Sequence, residues 1–314
     1  MINDDLKNNL EKYFEAKKKF DDLNELPTMD YSRDREIIGK ALALLSMVAD
    51  SVRSMAETDA STTVIFEFRT EPELLPGDLA TAILLKDGRY VVRMSIALIH
   101  LFYLHIRDIG NIPERSYDPS AIVLMAAVAA IAHEVAHILY GHLDTDPKSE
   151  NHGSGADRAL EADADRRGGG GMLSTFMSLT QRKLLAGDTG LKSKGEFLEA
   201  AFLGQIVLCA VIGTNPSERS KKYHGPSVRF ACFSAGLSEM AARQDFLSRQ
   251  AIIERLSAAG DIAASFISPK RPMLSSVLTA EEDDAKQFEE ITCVLMSRIV
   301  PEKADLATVL RRRN

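Results

Sequence analysis

Positive charge is not in excess in this sequence. Lys and Arg number 38 against 45 Asp and Glu, giving a formal net charge of -7 over 314 residues. A nucleic-acid binder ordinarily shows a basic face, so nucleic acid is set aside as a partner. The runs Lys17-Lys18-Lys19 and Arg311-Arg312-Arg313 read as solvated faces or tails. Cysteine is scarce: Cys209, Cys232 and Cys293 are odd in number, far apart and outside any CxxC spacing. They read as buried free thiols of a reducing compartment. The opening Met1-Ile-Asn-Asp-Asp lacks the basic-then-apolar layout of a signal peptide. The charge-free stretch from Ala200 to Ser217 includes Gln205, Thr214, Asn215 and Pro216, and its apolar part is too short to span a bilayer comfortably. We therefore expect a cytoplasmic protein with no membrane partner. Internal repeats and extended low-complexity segments are absent as well.

What is present is ordinary globular material, 45% hydrophobic and 26% charged. The length suits one large or two modest domains. We divide it into an N-terminal helical segment, 1–60, and a main domain, 61–314, which can also be read as one continuous domain. Residues 3–24 form a charge-rich helix with a narrow apolar stripe, Leu6, Leu10, Tyr13, Phe14 and Phe20, stopped by Pro27. A second helix runs from about Arg33 to Glu57. The period then changes. Thr62–Arg69 is β-branched and aromatic and reads as a strand, and segments 82–85 and 90–94 form a hairpin around Asp87-Gly88. Ser95 caps a helix over Ile96–Ile106, whose His100 and His105 are five apart and read as core or interface histidines. Further helices are expected over 171–185, 194–213, 226–243, 245–259, 281–299 and 303–312, with a polar loop at 143–157. The fold class is α+β: mainly helical, with a small, mostly antiparallel sheet of about three strands.

The chemistry lies in one stretch. Asp118-Pro119-Ser120 starts a helix, apolar on nearly every side, that runs to about Gly141. It carries His133-Glu134-Val135-Ala136-His137. Residues i and i+4 lie one above the other on a helix face, so the two imidazoles can bind one metal ion. His-Glu-x-x-His is the zinc-peptidase pattern. Two histidines and a glutamate in a buried helix cost several kcal/mol unless they are paired or metal-bound. Catalytic zinc takes three protein ligands and leaves a fourth position for water. Glu134, about 100° from His133 around the helix, is placed to act as general base on that water. Zinc would lower the pKa of the water and polarise the scissile carbonyl.

A third ligand is required. His142 is five residues beyond His137 and is expected to point elsewhere. His152 lies in the loop, a poor place for a preorganised ligand. Glu161, on a helix 24 residues beyond His137, is the better candidate. Asp165, one turn on, shares its face and can accept the outer N–H of a ligating histidine. Gly168 to Gly171 either end this helix or mark close helix packing. The His-x-x-Gly-x-x-His spacing of metzincins is not met.

His133-Glu-Val-Ala-His137 followed by Glu161-Ala-Asp-Ala-Asp165 resembles the gluzincin metallopeptidases. The surroundings, through His142 and up to Arg167, are similar more narrowly to the Lit-like phage-exclusion peptidases. The resemblance covers about 35 residues, 133–167. It implies a zincin-like fold with the sheet beside the motif helix. It also implies Zn2+ on His133, His137 and Glu161, catalysis by Glu134, a protein or peptide substrate, and a role in phage exclusion. Asp163 is the alternative ligand, but only Glu161 with Asp165 keeps the four-residue interval. A weaker patch is Tyr223-His224-Gly225-Pro226-Ser227-Val228-Arg229. Related gluzincins carry a His-Pro-led segment ending in arginine, in which a histidine or tyrosine can stabilise the oxyanion and an arginine can anchor a zinc-ligand carboxylate. Here Gly225 intervenes, and a loop leading into a Pro-started helix accounts for the same residues. The expectation is a zinc-dependent endopeptidase. The alternatives are a catalytically silent or regulatory zinc-binding protein on the same scaffold, and a helical interaction protein.

Overall fold

The computed structural model describes residues 4–23, 31–59, 63–71, 80–107, 115, 117, 119–143, 154–181, 190–212, 224–266, 272–279 and 286. The helices expected at 281–299 and 303–312, and also His152 and Cys293, lie outside the described residues, position 286 excepted.

In chain order the elements are α1 (Asp4–Leu23), α2 (Ser32–Asp59), β1 (Val64–Arg69), β2 (Ala80–Leu84), β3 (Tyr90–Ser95) and α3 (Ile96–Ile106). Then follow α4 (Pro119–Leu139), α5 (Ser154–Gln181), α6 (Lys194–Ile212), α7 (Pro226–Arg243), α8 (Arg249–Ser265) and α9 (Pro272–Leu278). The protein is mainly helical, with one three-stranded sheet among the described residues, as expected of the α+β class. The sheet order is β1-β3-β2. β2 and β3 form the expected antiparallel hairpin, closed by Leu85 and Arg89, with Gly88 at φ +84° in the turn. β1, however, pairs parallel to β3, Val64 opposite Tyr90 and Arg69 opposite Ser95. The sheet is therefore mixed rather than mostly antiparallel. Strand propensity is local, whereas partner direction is set by where the chain returns after β1.

α4 is the central helix. Its residues from Ala121 to Ile131 are all buried, packed by α5, α6, α2 and α3 and flanked by β2 and β3. Burying a Val, Leu or Ile side chain contributes about 1.5–3 kcal/mol, so this helix is the main apolar anchor. α4 and α6 are both long and apolar enough to cross a membrane by length and composition; 83% of each is buried inside the protein. The apolar stripe of α1 packs as expected at Leu6, Leu10, Tyr13 and Phe14, whereas Phe20 is exposed. His100 is a core histidine: Tyr13 Oη lies 2.8 Å from its Nδ1, and Asp34 Oδ2 lies 3.1 Å from its Nε2. Ser95 caps α3, accepting from the Ala97 N–H. Cys209 and Cys232 are buried free thiols, and burial pushes both up, Cys232 to about 12.

The four glycines do not end their helix. α5 runs through them to Gln181, with Gly169 and Gly170 facing α7 while Gly168 and Gly171 face α4 at His133 and Ala132. A methyl group at Gly236 of α7 would fall 1.7 Å from the Arg166 carbonyl oxygen, and one at Gly169 would fall 2.0 Å from the Phe233 carbonyl oxygen. The two helices therefore meet backbone to backbone, which the missing side chains permit. Gly236→Ala is expected to lower the unfolding free energy by about 1–3 kcal/mol, the usual cost of overpacking, as measured by urea denaturation. An unchanged midpoint would mean that the helices do not need this approach.

Candidate metal centre

α4 presents His133 and His137 one turn apart toward α5, which brings Glu161 and, one turn later, Asp165. The two imidazole Nε2 atoms are 3.1 Å apart. Glu161 Oε2 lies 3.2 Å from the first and 3.5 Å from the second. All three side chains are buried, and their donor atoms lie within 4.8 Å of one another. A tetrahedral ion with bonds of about 2.0–2.2 Å has donor–donor edges of roughly 3.3–3.6 Å. The observed triangle is close to one face of such a tetrahedron. This group can hold a metal ion.

The outer shell is as ordered as the triangle. Asp165 Oδ1 sits 2.8 Å from His133 Nδ1, the place of an outer carboxylate that orients a ligating histidine, and Nε2 faces Glu161. Asp165 is itself clamped by Arg229 of α7, which donates from Nε at 2.8 Å and from Nη2 at 2.6 Å. This two-pronged pairing is geometrically specific. The resemblance implied that the arginine anchors a ligand carboxylate; the structure puts it on Asp165, the carboxylate behind the ligand. The reason is distance along α7: Arg229 is in its first turn, opposite the Asp165 turn of α5, where close packing sets the two backbones together.

The other ligand is held differently. α4 ends in a Schellman turn: Gly141 takes φ +71°, its N–H donates to Ile138 O, and the His142 N–H donates to His137 O at 2.9 Å. The turn folds His142 back, so that its Nδ1 lies 3.1 Å from His137 Nδ1. His142 is not part of the ligand triangle, but neither does it point elsewhere as spacing alone suggested. Its Nε2 lies 3.3 Å from Asp163 Oδ2, which also accepts from Arg167 Nε at 2.7 Å. Asp163 thus serves His142 rather than the ion. The sequence signal for this arrangement was Gly141 just past the last apolar residue, the usual mark of a helix end.

Electrostatics follow from burial and pairing. Burial by itself would lower the His133 pKa, but Asp165 and Glu161 reverse it and push it up to about 10. Burial raises the Glu161 carboxyl, yet contacts with His133 and His137 hold it well below the usual range. Asp165 is likewise raised by burial and brought below its ordinary value by Arg229 and His133. For His142, burial dominates and lowers the pKa. The result is a pair of ionised carboxylates facing a protonated His133 and a guanidinium.

Glu134 follows His133 on α4 and is half-buried. His224 is buried at the residue before Gly225, the N-cap of the Pro226-started α7, five positions ahead of Arg229. Of the residues expected to form the site, the structure therefore gathers His133, His137, Glu161, Asp165 and Arg229 into direct contact. It places Glu134 and His224 on the elements that carry them. Comparison with protein-family models, with curated proteins and with solved structures finds no match for this chain.

Replacing Arg229 by Leu leaves the Asp165 carboxylate buried without its guanidinium. Breaking such a pair costs about 3–5 kcal/mol, read as a shift in urea unfolding. The double change Arg229→Leu with Asp165→Leu is expected to recover part of that loss. No recovery would show that the arginine acts through packing alone.

Proposed function

We propose that this protein is a zinc-dependent endopeptidase that hydrolyses peptide bonds of a protein or peptide substrate. One observation carries the reading: a buried His133–His137–Glu161 triangle of near-tetrahedral edge lengths, with a glutamate beside the first histidine. Two imidazoles and a carboxylate are the donor set of a catalytic rather than a structural zinc site, which would be closed by four protein ligands. A bound zinc ion would supply a Lewis acid for the scissile carbonyl and lower the pKa of a water molecule.

The protein's own groups have defined parts. His133, His137 and Glu161 hold the ion. Asp165 orients His133, and Arg229 keeps Asp165 ionised. Glu134 takes a proton from the attacking water as the C–O bond forms, and then hands it to the leaving amine as the C–N bond breaks. His224, buried at the head of α7, donates to the oxygen of the carbonyl as negative charge develops there. The gluzincin resemblance, and within it the Lit-like one, is consistent with this set of roles. Phage exclusion is the biological setting that resemblance proposes.

The tests separate metal from catalysis. Glu161→Ala is expected to lose stoichiometric zinc by elemental analysis. Glu134→Ala is expected to keep zinc and abolish cleavage, scored by mapping new protein termini in cells expressing wild type or mutant. Undiminished cleavage in the Glu134 variant would sink the mechanism. A zinc-loaded wild type that generates no new termini would favour a regulatory zinc-binding protein. His224→Ala should retain zinc and slow turnover by about a hundredfold, the usual loss for one oxyanion donor; an unchanged rate would remove His224 from the site.

A further inference from the structure

α4 has a second working face. Val128, Ile131, Val135 and Leu139, at helical spacing, turn away from His133 and His137 and line a cavity of about 520 Å³ between α2, α4, α5 and α7. None of the three metal-binding side chains lines it. Its volume falls in the range of small-molecule sites. The inner wall is apolar and buried, with Val48 and Val52 of α2 facing Val128 and Ile131. The outer end is different: Arg166, Arg167 and Arg243 stand there with Asp163 and Glu239. Three cations against two anions leave a net positive rim.

Three features bear on what such a cavity would hold. Arg166 and Arg243 both donate to the one carboxylate of Glu239, and their side chains are 50% and 70% exposed. A guanidinium carries five N–H donors, so both retain donors for an incoming anion. Leu139 and Tyr140, at the same rim, are left 44% and 39% exposed, an unusual position for large apolar groups flanking a cavity. The Arg167 guanidinium stacks on the Tyr140 ring at 3.6 Å, which holds its charge at the opening. The gradient runs from hydrocarbon inside to cation outside.

We propose that this cavity binds a small amphipathic anion, its apolar body between α2 and α4 and its carboxylate or phosphate head on Arg166 and Arg243. The three candidate metal ligands do not line it, although Asp163 and Arg167 of its rim also support His142 behind His137, and binding there does not depend on peptidase activity. Titration calorimetry on the purified full chain, with decanoate, decyl phosphate and decanol as probes, tests it. Decanoate or decyl phosphate should bind saturably with one-to-one stoichiometry, and decanol at least tenfold more weakly. Arg243→Ala should weaken the anion about tenfold, the loss expected for one charge-assisted hydrogen bond. Ser174→Trp, at an exposed position on the cavity wall, should abolish binding, with circular dichroism confirming that both variants fold. Equal affinity for decanol would overturn the anion-recognising rim. Absence of saturable binding by either anion would overturn the site. Binding to anionic phosphatidylglycerol vesicles but not to the free amphiphiles would also overturn it, assigning the cationic rim to a membrane surface.

Discussion

Asp165 is a carboxylate with 1% of its surface in water, held between a guanidinium and an imidazole. The candidate site depends on it. A buried charge of this kind survives only when its partners satisfy it on every side, and here they come from three helices. Arg229 belongs to α7, Asp165 to α5 and His133 to α4, so the pairing fixes their relative positions. It also decides which nitrogen of His133 faces Glu161. The glycine-to-backbone contact of α5 with α7 is the geometric condition for that pairing: with ordinary side chains at Gly169 and Gly236 the helices would stand further apart, and the arginine would not reach.

The two histidines are supported unequally. His133 is backed by an ionised pair. His137 is backed by His142, which is backed in turn by Asp163 and Arg167. Both chains pass through an aspartate of α5 and end in an arginine, Arg229 of α7 behind His133 and Arg167 of α5 behind His137. α5 is therefore more than the source of the third ligand; it supplies Glu161, Asp163 and Asp165, one to each partner histidine or pair. α4 divides its surface in a corresponding way, giving one face to this polar set and another to an apolar cavity.

Much of this could be read from the chain, and the legible part is the local part. The spacing of His133 and His137 on a helix, and of Glu161 and Asp165 on the next, is arithmetic on a 3.6-residue turn. Ser95 as a cap, Pro226 as a helix start and the Asp87-Gly88 hairpin are likewise local signals. What depended on tertiary placement was not legible. Strand propensity marked β1 but not its parallel pairing. The glycine run left two readings open until α7 was seen packed on it. Arg229 is legible as a residue of interest, but which carboxylate it holds depends on how α7 packs on α5. His142 was judged by helical phase, and the helix ends before it. The cavity, whose walls combine α2, α4, α5 and α7, leaves no local trace.

The buried triangle of His133, His137 and Glu161 is the proposed zinc site. X-ray absorption at the zinc edge of the purified protein tests it most directly. The expected first shell has nitrogen and oxygen scatterers at about 2.0–2.1 Å, with the multiple-scattering signature of two imidazoles. A first shell dominated by sulfur at about 2.3 Å, or by a single imidazole, would contradict it.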